Sequence, residues 1–386
     1  MPPTNLRNSR LLHRASLGSA TSRRHFLQFS AAALSGVALS NCARNLSNAG
    51  SSPASSPTNS TANKTLHIYT WANYTDDELL RGFQDRTGIQ VVVDTFDSNE
   101  TMLTKMQGGG GKAYSIIYPS DYMVEKMIAD EMVAPLDQSR LQGTDRWLPQ
   151  WQDPVYDPGN AHSMPVVWGT TGLIFDPGRV SDPIKGWDYI WQNVDQLSRR
   201  ITLINDVREV MGATLKYLGY SLNSTKPAEI EAAYNELLKL KPAIASFITN
   251  GWEDQLASGD LTVSMAYSQD AIYLIEESPN LQYIVPETGS SLWTDTMVIP
   301  KTAPNVDAAY EWLNYMLDPE NSAKMVERLK IATPNEAAFE KLPTNLQQDQ
   351  NLFPSKAILA KSEGIAPVPQ AITDLYERYW TQLTSS

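Results

Sequence analysis

The sequence predicts an α/β protein of two lobes, each a mainly parallel sheet flanked by helices. Three observations carry this expectation. Short apolar, β-rich runs alternate with amphipathic helical stretches, the order that places parallel strands between two layers of helices. The chain has 386 residues, 42% of them hydrophobic, enough for more than one core at about 100–200 residues per domain. A polar stretch rich in Ser, Asn and Pro, residues 43–64, separates this body from a quite different first segment.

The elements follow in order. Leu66–Thr70 reads as a strand. Thr75-Asp76-Asp77-Glu78 reads as a capping box, with Leu79, Leu80 and Phe83 on the buried face of the helix it starts. A strand over Ile89–Phe96, a helix over Glu100–Gln107 and a strand over Ser115–Tyr118 follow. Gly108–Gly111 is too flexible for a regular element, and it lacks the Lys-Ser/Thr of a nucleotide loop, so it reads as a turn. Further strands are expected at Met164–Phe175, Ile201–Leu203, Leu261–Ala266, Tyr283–Val285 and Thr296–Ile299. Helices are expected over Trp187–Asp195, Val207–Leu218, Pro227–Leu240 and from the Asn305 cap to Leu317. Asp318-Pro319 then opens another helix, with Pro at the first position where its missing N–H costs nothing.

Charge and composition exclude several classes. With 31 Lys+Arg against 43 Asp+Glu, the chain lacks the basic surface that nucleic acid or anionic lipid requires. A single cysteine excludes an internal disulfide and a Cys-based zinc cluster, and the two body histidines, His67 and His162, have no metal-ligand spacing. No run reaches the ~18 apolar residues of a spanning helix.

The charge is unevenly placed. Residues 1–41 hold Arg7, Arg10, Arg14, Arg23 and Arg24 and no acidic residue. Ser22-Arg23-Arg24-His25-Phe26-Leu27 precedes a short apolar stretch, Phe29–Leu39, so residues 1–42 read as an export signal of twin-arginine type. Leu39-Ser40-Asn41-Cys42 is similar to a lipoprotein cleavage box, with Cys42 as the lipidated residue, although Asn41 departs from the usual small residue. Residues 43–64 then form a tether that cannot bury enough apolar surface to order itself. Cleavage leaves 26 basic residues against 43 acidic, a net charge of −17 instead of −12.

In open α/β sheets ligands sit beyond the carboxyl ends of strands, and here those ends are aromatic and acidic. Trp71 and Tyr74 follow the first strand, Ser120, Asp121 and Tyr122 the third, and Asp206 and Glu209 follow Ile201–Leu203. Tyr267 and Asp270 follow Leu261–Ala266, and Trp293 and Asp295 precede Thr296–Ile299. Carboxylates accept charge-assisted hydrogen bonds from ammonium groups, and ring faces attract the cation by ~0.5–2 kcal/mol each. Each residue also has a plain structural reading. Any one ring could be core packing, Asp206-Val207-Arg208-Glu209 is a good capping box, and Asp295 could be a turn residue. The recurrence after several strands favours a site for an organic cation.

Strings along the whole body now carry a resemblance. LHIYTWANY (66–74), SNETM (98–102), YPSDYMVEKM (118–127), Pro165–Gly169, DVREV (206–210), EIEAAYNEL (229–237), LWTDTMVIP (292–300) and Thr333-Pro334-Asn335 resemble the PotD-like spermidine/putrescine-binding proteins of polyamine ABC importers. The match runs from about Thr65 to Tyr379. It implies the type II periplasmic solute-binding fold, with residues 65–170 and 293–340 in one lobe, 171–292 and 341–386 in the other, and a hinge between. It implies an aromatic box of Trp71, Tyr74, Tyr122 and Trp293, a polar wall contact at Ser120, and ammonium partners in Asp206, Glu209 and Asp295. Tyr267 stands where relatives commonly have Trp, Ala72 replaces a polar residue, and Asp121 and Asp270 are acidic where relatives are neutral. Gly364–Gln370 lacks the polar Gln-containing stretch of relatives. The resemblance implies no catalysis and no cofactor, a periplasmic location, a monomer, and permease and ATPase partners. The alternatives are a receptor of the same fold for thiamine, γ-aminobutyrate or ferric iron, or an exported glycoside hydrolase using paired carboxylates, for which no nucleophile or metal motif stands in the sequence.

Overall fold

In a computed structural model of the chain, residues 65–72 and 74–385 are described. The export signal at 1–42, Cys42 and the linker at 43–64 lie outside the described residues. The first half alternates as expected: β1 (Thr65–Trp71), α1 (Asp77–Thr87), β2 (Gln90–Phe96), α2 (Asn99–Gln107), β3 (Ile116–Ile117) and α3 (Asp121–Ala129). β1 pairs in parallel with β2 on one side and β3 on the other. The cap of α1 is Asp76, not Thr75: Asp76 Oδ1 accepts from Leu79 N at 2.7 Å while Oδ2 accepts from Arg328 Nε at 2.7 Å. The carboxylate wins the cap because it serves the helix and a distant arginine together. Gly109, at φ 91°, turns the chain out of α2 as the glycine run suggested, but Gly110–Ala113 then close a 3-10 turn and so do take up a regular element.

β4 (Ser163–Phe175) is 13 residues long and buried throughout. After it come α4 (Asp188–Gln192), β5 (Ile201–Leu203), α5 (Val207–Tyr217), α6 (Pro227–Leu240), β6 (Ile244–Phe247), α7 (Glu253–Ser258), β7 (Val263–Tyr267), α8 (Ser268–Glu277), β8 (Gln282–Ile284) and β9 (Leu292–Val298). The chain ends with α9 (Val306–Leu317), α10 (Pro319–Leu329), the short α11 (Glu336–Phe339), α12 (Thr344–Gln347) and α13 (Lys356–Leu359), and α14 (Gln370–Ser385). The helix expected over Trp187–Asp195 is cut short because Asn193 leaves helical geometry and its side chain takes the Tyr189 carbonyl at 2.9 Å.

The strand order is β2-β1-β3-β9-β4-β7-β5-β6, with β8 beside β4. The outer trios, β2-β1-β3 and β7-β5-β6, are parallel; the antiparallel pairs all involve β4 or β9. β4 changes partner part-way: Ser163–Thr170 lie against β9, and Thr171–Phe175 against β7. One strand therefore belongs to both lobes, and Thr170-Thr171 is where the chain first crosses between them.

Side-chain alternation gives each lobe a core on both faces of its sheet. In the first lobe Ile68 faces a cluster with Phe83, Trp312 and Leu313, while its neighbour Tyr69 faces Met102, Ile117 and Met127. In the second, Leu173 and Phe175 pack with Ile201, Val210 and Leu237, while Ile174 packs with Trp252, Ala266 and Tyr283. Each fully buried side chain of this kind stabilises the fold by about 1.5–3 kcal/mol. Leu342 and Leu352 stay in the first core, with Phe353 and Leu359 against it, whereas Val368 packs on the second and Leu375, Tyr376 and Leu383 lie within it. The last transfer, expected at residue 341, thus comes later, over 358–368, where Ile358 already packs on the second lobe while Leu359 still lies against the first, because Leu342, Leu352 and Phe353 extend the first lobe's apolar face.

Candidate ligand-binding site

Asp295 lies inside β9 and not before it, because Leu292–Thr294 already pair with β4. Its carboxylate accepts from Ser120 Oγ at 2.6 Å through one oxygen and from the Tyr74 hydroxyl through the other. The Trp71 N–H also stabilises the charge, although Trp71 Nε1 makes no bond of good geometry. Burial overrides these donors and pushes the Asp295 carboxyl up to about 6. Asn99, unnoticed as a site residue though it stands in the SNETM string, arranges this wall. Its Nδ2 donates to Ser120 Oγ and to Tyr122 Oη, both at 3.0 Å, and its Oδ1 accepts from Ser120 N at 3.1 Å.

The ring walls are built by close approach. Trp293 crosses β4 opposite Gly169, where an added Cβ would stand 2.2 Å from the indole, so only glycine admits the ring. Tyr267, the last residue of β7, meets Trp293 edge-on at 5.9 Å and packs against the cores of both lobes. Tyr122 donates to Glu100 Oε1 at 3.2 Å, and its hydroxyl is held protonated by burial and by the charges of Asp206 and Glu100.

On the second lobe, Asp206 caps α5, accepting from Arg208 N at 2.8 Å and Glu209 N at 3.0 Å. The capping reading is therefore half right. Glu209 does not reach back to the cap residue; both its oxygens lie 2.8 Å from Ser291 Oγ, just before β9. Burial, then the charge of Asp206, pushes the Glu209 carboxyl up to about 8. Asp121, at the start of α3, accepts from the backbone N–H of Tyr122 at 2.8 Å and from that of Thr294, yet burial and the charges of Asp295 and Glu209 hold its carboxyl well above the usual range.

Asp121, Glu209 and Asp295 are 3%, 4% and 5% exposed, and Asp206 is half-buried. Among the described residues no ion pair reaches any of the four. Arg208, the nearby guanidinium, is turned to Asn223 Oδ1 and the Ala366 carbonyl, each at 3.1 Å, and lies over the Tyr376 ring. Buried carboxylates without a cation are costly when ionised, so such a site binds a proton or a cationic ligand. Asp270 touches none of these groups by a hydrogen bond, though its charge reaches Tyr74 and Tyr267. It faces a surface cavity of about 360 Å³ with Glu253, Tyr273 and Glu277, and burial and Glu253 push it up to about 7. Tyr156, which no sequence signal marked, has a buried hydroxyl without a bonding partner near Asp121 and Asp295. Among the described residues no group of His, Cys, Asp and Glu could hold a metal.

The family model described as bacterial extracellular solute-binding protein matches residues 78–354. The chain belongs to that family. Among its solute-binding relatives, it is 34% identical over 328 residues to "Spermidine/putrescine-binding periplasmic protein 1" of Haemophilus influenzae, covering 84% of this chain and 90% of the relative. It is 33% identical over 323 residues to the "Spermidine/putrescine-binding periplasmic protein" of Salmonella typhimurium, covering 83% and 92%. The crystal structure of the PotD substrate-binding protein of Streptococcus pneumoniae superposes with a TM-score of 0.76 at 36% identity, over 83% of this chain and 98% of that one. The solute-binding architecture, two α/β lobes joined by crossing strands, is the one described above.

Proposed function

We propose that the chain is an extracytoplasmic polyamine receptor that delivers putrescine or spermidine to a membrane permease powered by a separate ATPase. The observation that carries this reading is the set of buried carboxylates, Glu209, Asp295 and Asp121, joined by Asp206 and set among Trp71, Tyr74, Tyr122, Tyr267 and Trp293 with no protein cation paired to them. In this reading Glu209 and Asp206 hold one terminal ammonium, Asp295 with Ser120 and Tyr74 holds another amine, and the rings cover the methylenes between. Asp121 adds field at the floor, and Asp270 acts from a distance. An amino-acid-like amine such as γ-aminobutyrate would need a cation for its carboxylate, and the Nη2 of Arg208, the nearby guanidinium, is already given to Asn223 and Ala366, leaving Nε as its buried donor without a partner.

The receptor has no catalytic step and works as a monomer. The lobes comprise residues 65–170 with 292–359 and 171–291 with 368–385, closing about the crossing strands. The paired arginines export the chain to the periplasm, and a lipid on Cys42 tethers it there. Titration calorimetry of the full-length protein with putrescine, spermidine, spermine and γ-aminobutyrate tests the reading. A polyamine should bind with micromolar or better affinity and γ-aminobutyrate should not; heat from γ-aminobutyrate alone would overturn it.

A further inference from the structure

Glu209 rises from α5 in the second lobe, and its carboxylate is held where that lobe meets the crossing strands. Both oxygens lie 2.8 Å from Ser291 Oγ, and Ser291 Oγ lies 3.0 Å from Thr171 Oγ1. Thr171 is the residue at which β4 leaves β9 for β7, and its backbone N–H bonds the Ser291 carbonyl at 3.3 Å. Ser291 in turn lies beside the third crossing segment. Leu292 N donates to the Glu363 carbonyl at 2.8 Å, Glu363 N donates to the Ser290 carbonyl at 3.0 Å, and the Glu363 side chain is pinned to the second lobe by Lys216 at 2.8 Å. The three crossings therefore run side by side at Ser291, whose hydroxyl meets Thr171 on one of them and Glu209 of α5. That hydroxyl has a single proton and more neighbours than it can serve at once: two carboxylate oxygens and the Thr171 hydroxyl.

We propose that Ser291 is a positioning residue that holds Glu209 in place for the ligand's ammonium and turns its proton between Thr171 and Glu209 as the carboxylate changes charge. This rests on the polyamine reading of the cleft. With Glu209 protonated, its O–H donates to Ser291 Oγ and Ser291 donates to Thr171. When an ammonium arrives, the carboxyl proton leaves to solvent, Ser291 donates to the carboxylate, and Thr171 adds its own donation. Ligand charge in the cleft is thus read by hydroxyls on two of the crossing strands. The other groups acting on Glu209 are Asp206 and Arg208 on its own element, Asp121 from α3, Tyr267 from β7 and Tyr283 from β8. Burial is the largest influence and Asp206 the next, and both favour the neutral form; Ser291 and Thr171 are the donors that oppose them.

The test is the pH profile of spermidine affinity, from pH 6 to 9, for the wild-type protein, Ser291→Ala and Ser291→Thr. Without its main donor Glu209 holds its proton more tightly, so Ser291→Ala should lose about tenfold in affinity at pH 7, equivalent to about one pH unit on the carboxyl. The loss should shrink toward pH 9, and Ser291→Thr should restore the wild-type profile. An Ala variant that binds as wild type at every pH, or that loses the same factor at every pH, overturns the proposal. Failure of the wild-type protein to bind spermidine would instead overturn the polyamine reading.

Discussion

Asp295, the proposed partner of a ligand amine, stands in the middle of a strand. Ser120 and Tyr74 each donate to one oxygen, so Asn in its place keeps one acceptor, presents an NH2 that the other hydroxyl must turn to accept, and removes the charge. Removing one member of an enclosed charge pair costs about 2–5 kcal/mol, so Asp295→Asn should weaken spermidine binding by well over tenfold with little change in melting temperature. Calorimetry and thermal melting check this together; unchanged affinity would make the carboxylate structural. Residue types were legible because aromatic and acidic side chains recur after strands. What escaped was support. Asn99 sits in a quoted string, but nothing in the string says that it bonds both Ser120 and Tyr122, and Ser291 is a plain serine until β4 and β9 bring it to Glu209. Such partners are far apart in sequence, 82 residues between Glu209 and Ser291, and only the fold joins them.

At the scale of elements, α5 is a capped structural helix and, in the proposed reading, a binding device as well. Asp206 satisfies two N–H groups at its start while its charge contributes to the cleft. Asp206→Ala should therefore lower stability by about 0.5–2 kcal/mol in urea unfolding and also weaken ligand binding. Stability that holds while affinity falls would remove the capping role. Elements with strong local signals were readable: α6 opens at Pro227 and ends at Leu240 as its periodicity suggested, and Asn305 caps α9. Boundaries set by pairing were less so. β9 begins at Leu292 because β4 lies beside it, and its apolar pattern is broken by the polar residues Thr294 and Asp295 that turn toward other elements. The Thr75 capping box gave way to Asp76 because Arg328, 252 residues on, rewards the carboxylate.

For the whole molecule, the raised carboxyls set a direction for stability against pH. Glu209 at about 8, Asp270 at about 7 and Asp295 at about 6 hold their protons more tightly folded than unfolded. Their contribution is therefore full below the unfolded values near 4 and is lost as pH rises through about 6 to 8. Melting of the ligand-free protein should rise in temperature between pH 8.5 and 6, and saturating spermidine should flatten the trend; a rise with increasing pH would contradict it. The net charge of the chain foretold none of this, since the decisive quantity is which carboxylates are buried without a paired cation. The alternation of strands and helices announced the two-lobed architecture, whereas the point at which the chain finally changes lobe depended on where Leu342 and Leu352 find a core.

In the proposed reading an organic cation completes buried carboxylates which otherwise hold protons. Calorimetric titration of spermidine at pH 7 in buffers of different ionisation enthalpy tests it most directly, because at that pH the amines are already protonated. Binding heats should vary with the buffer and correspond to net proton release from the protein. Binding with the same heat in every buffer would mean that the carboxylates are already ionised, and would contradict it.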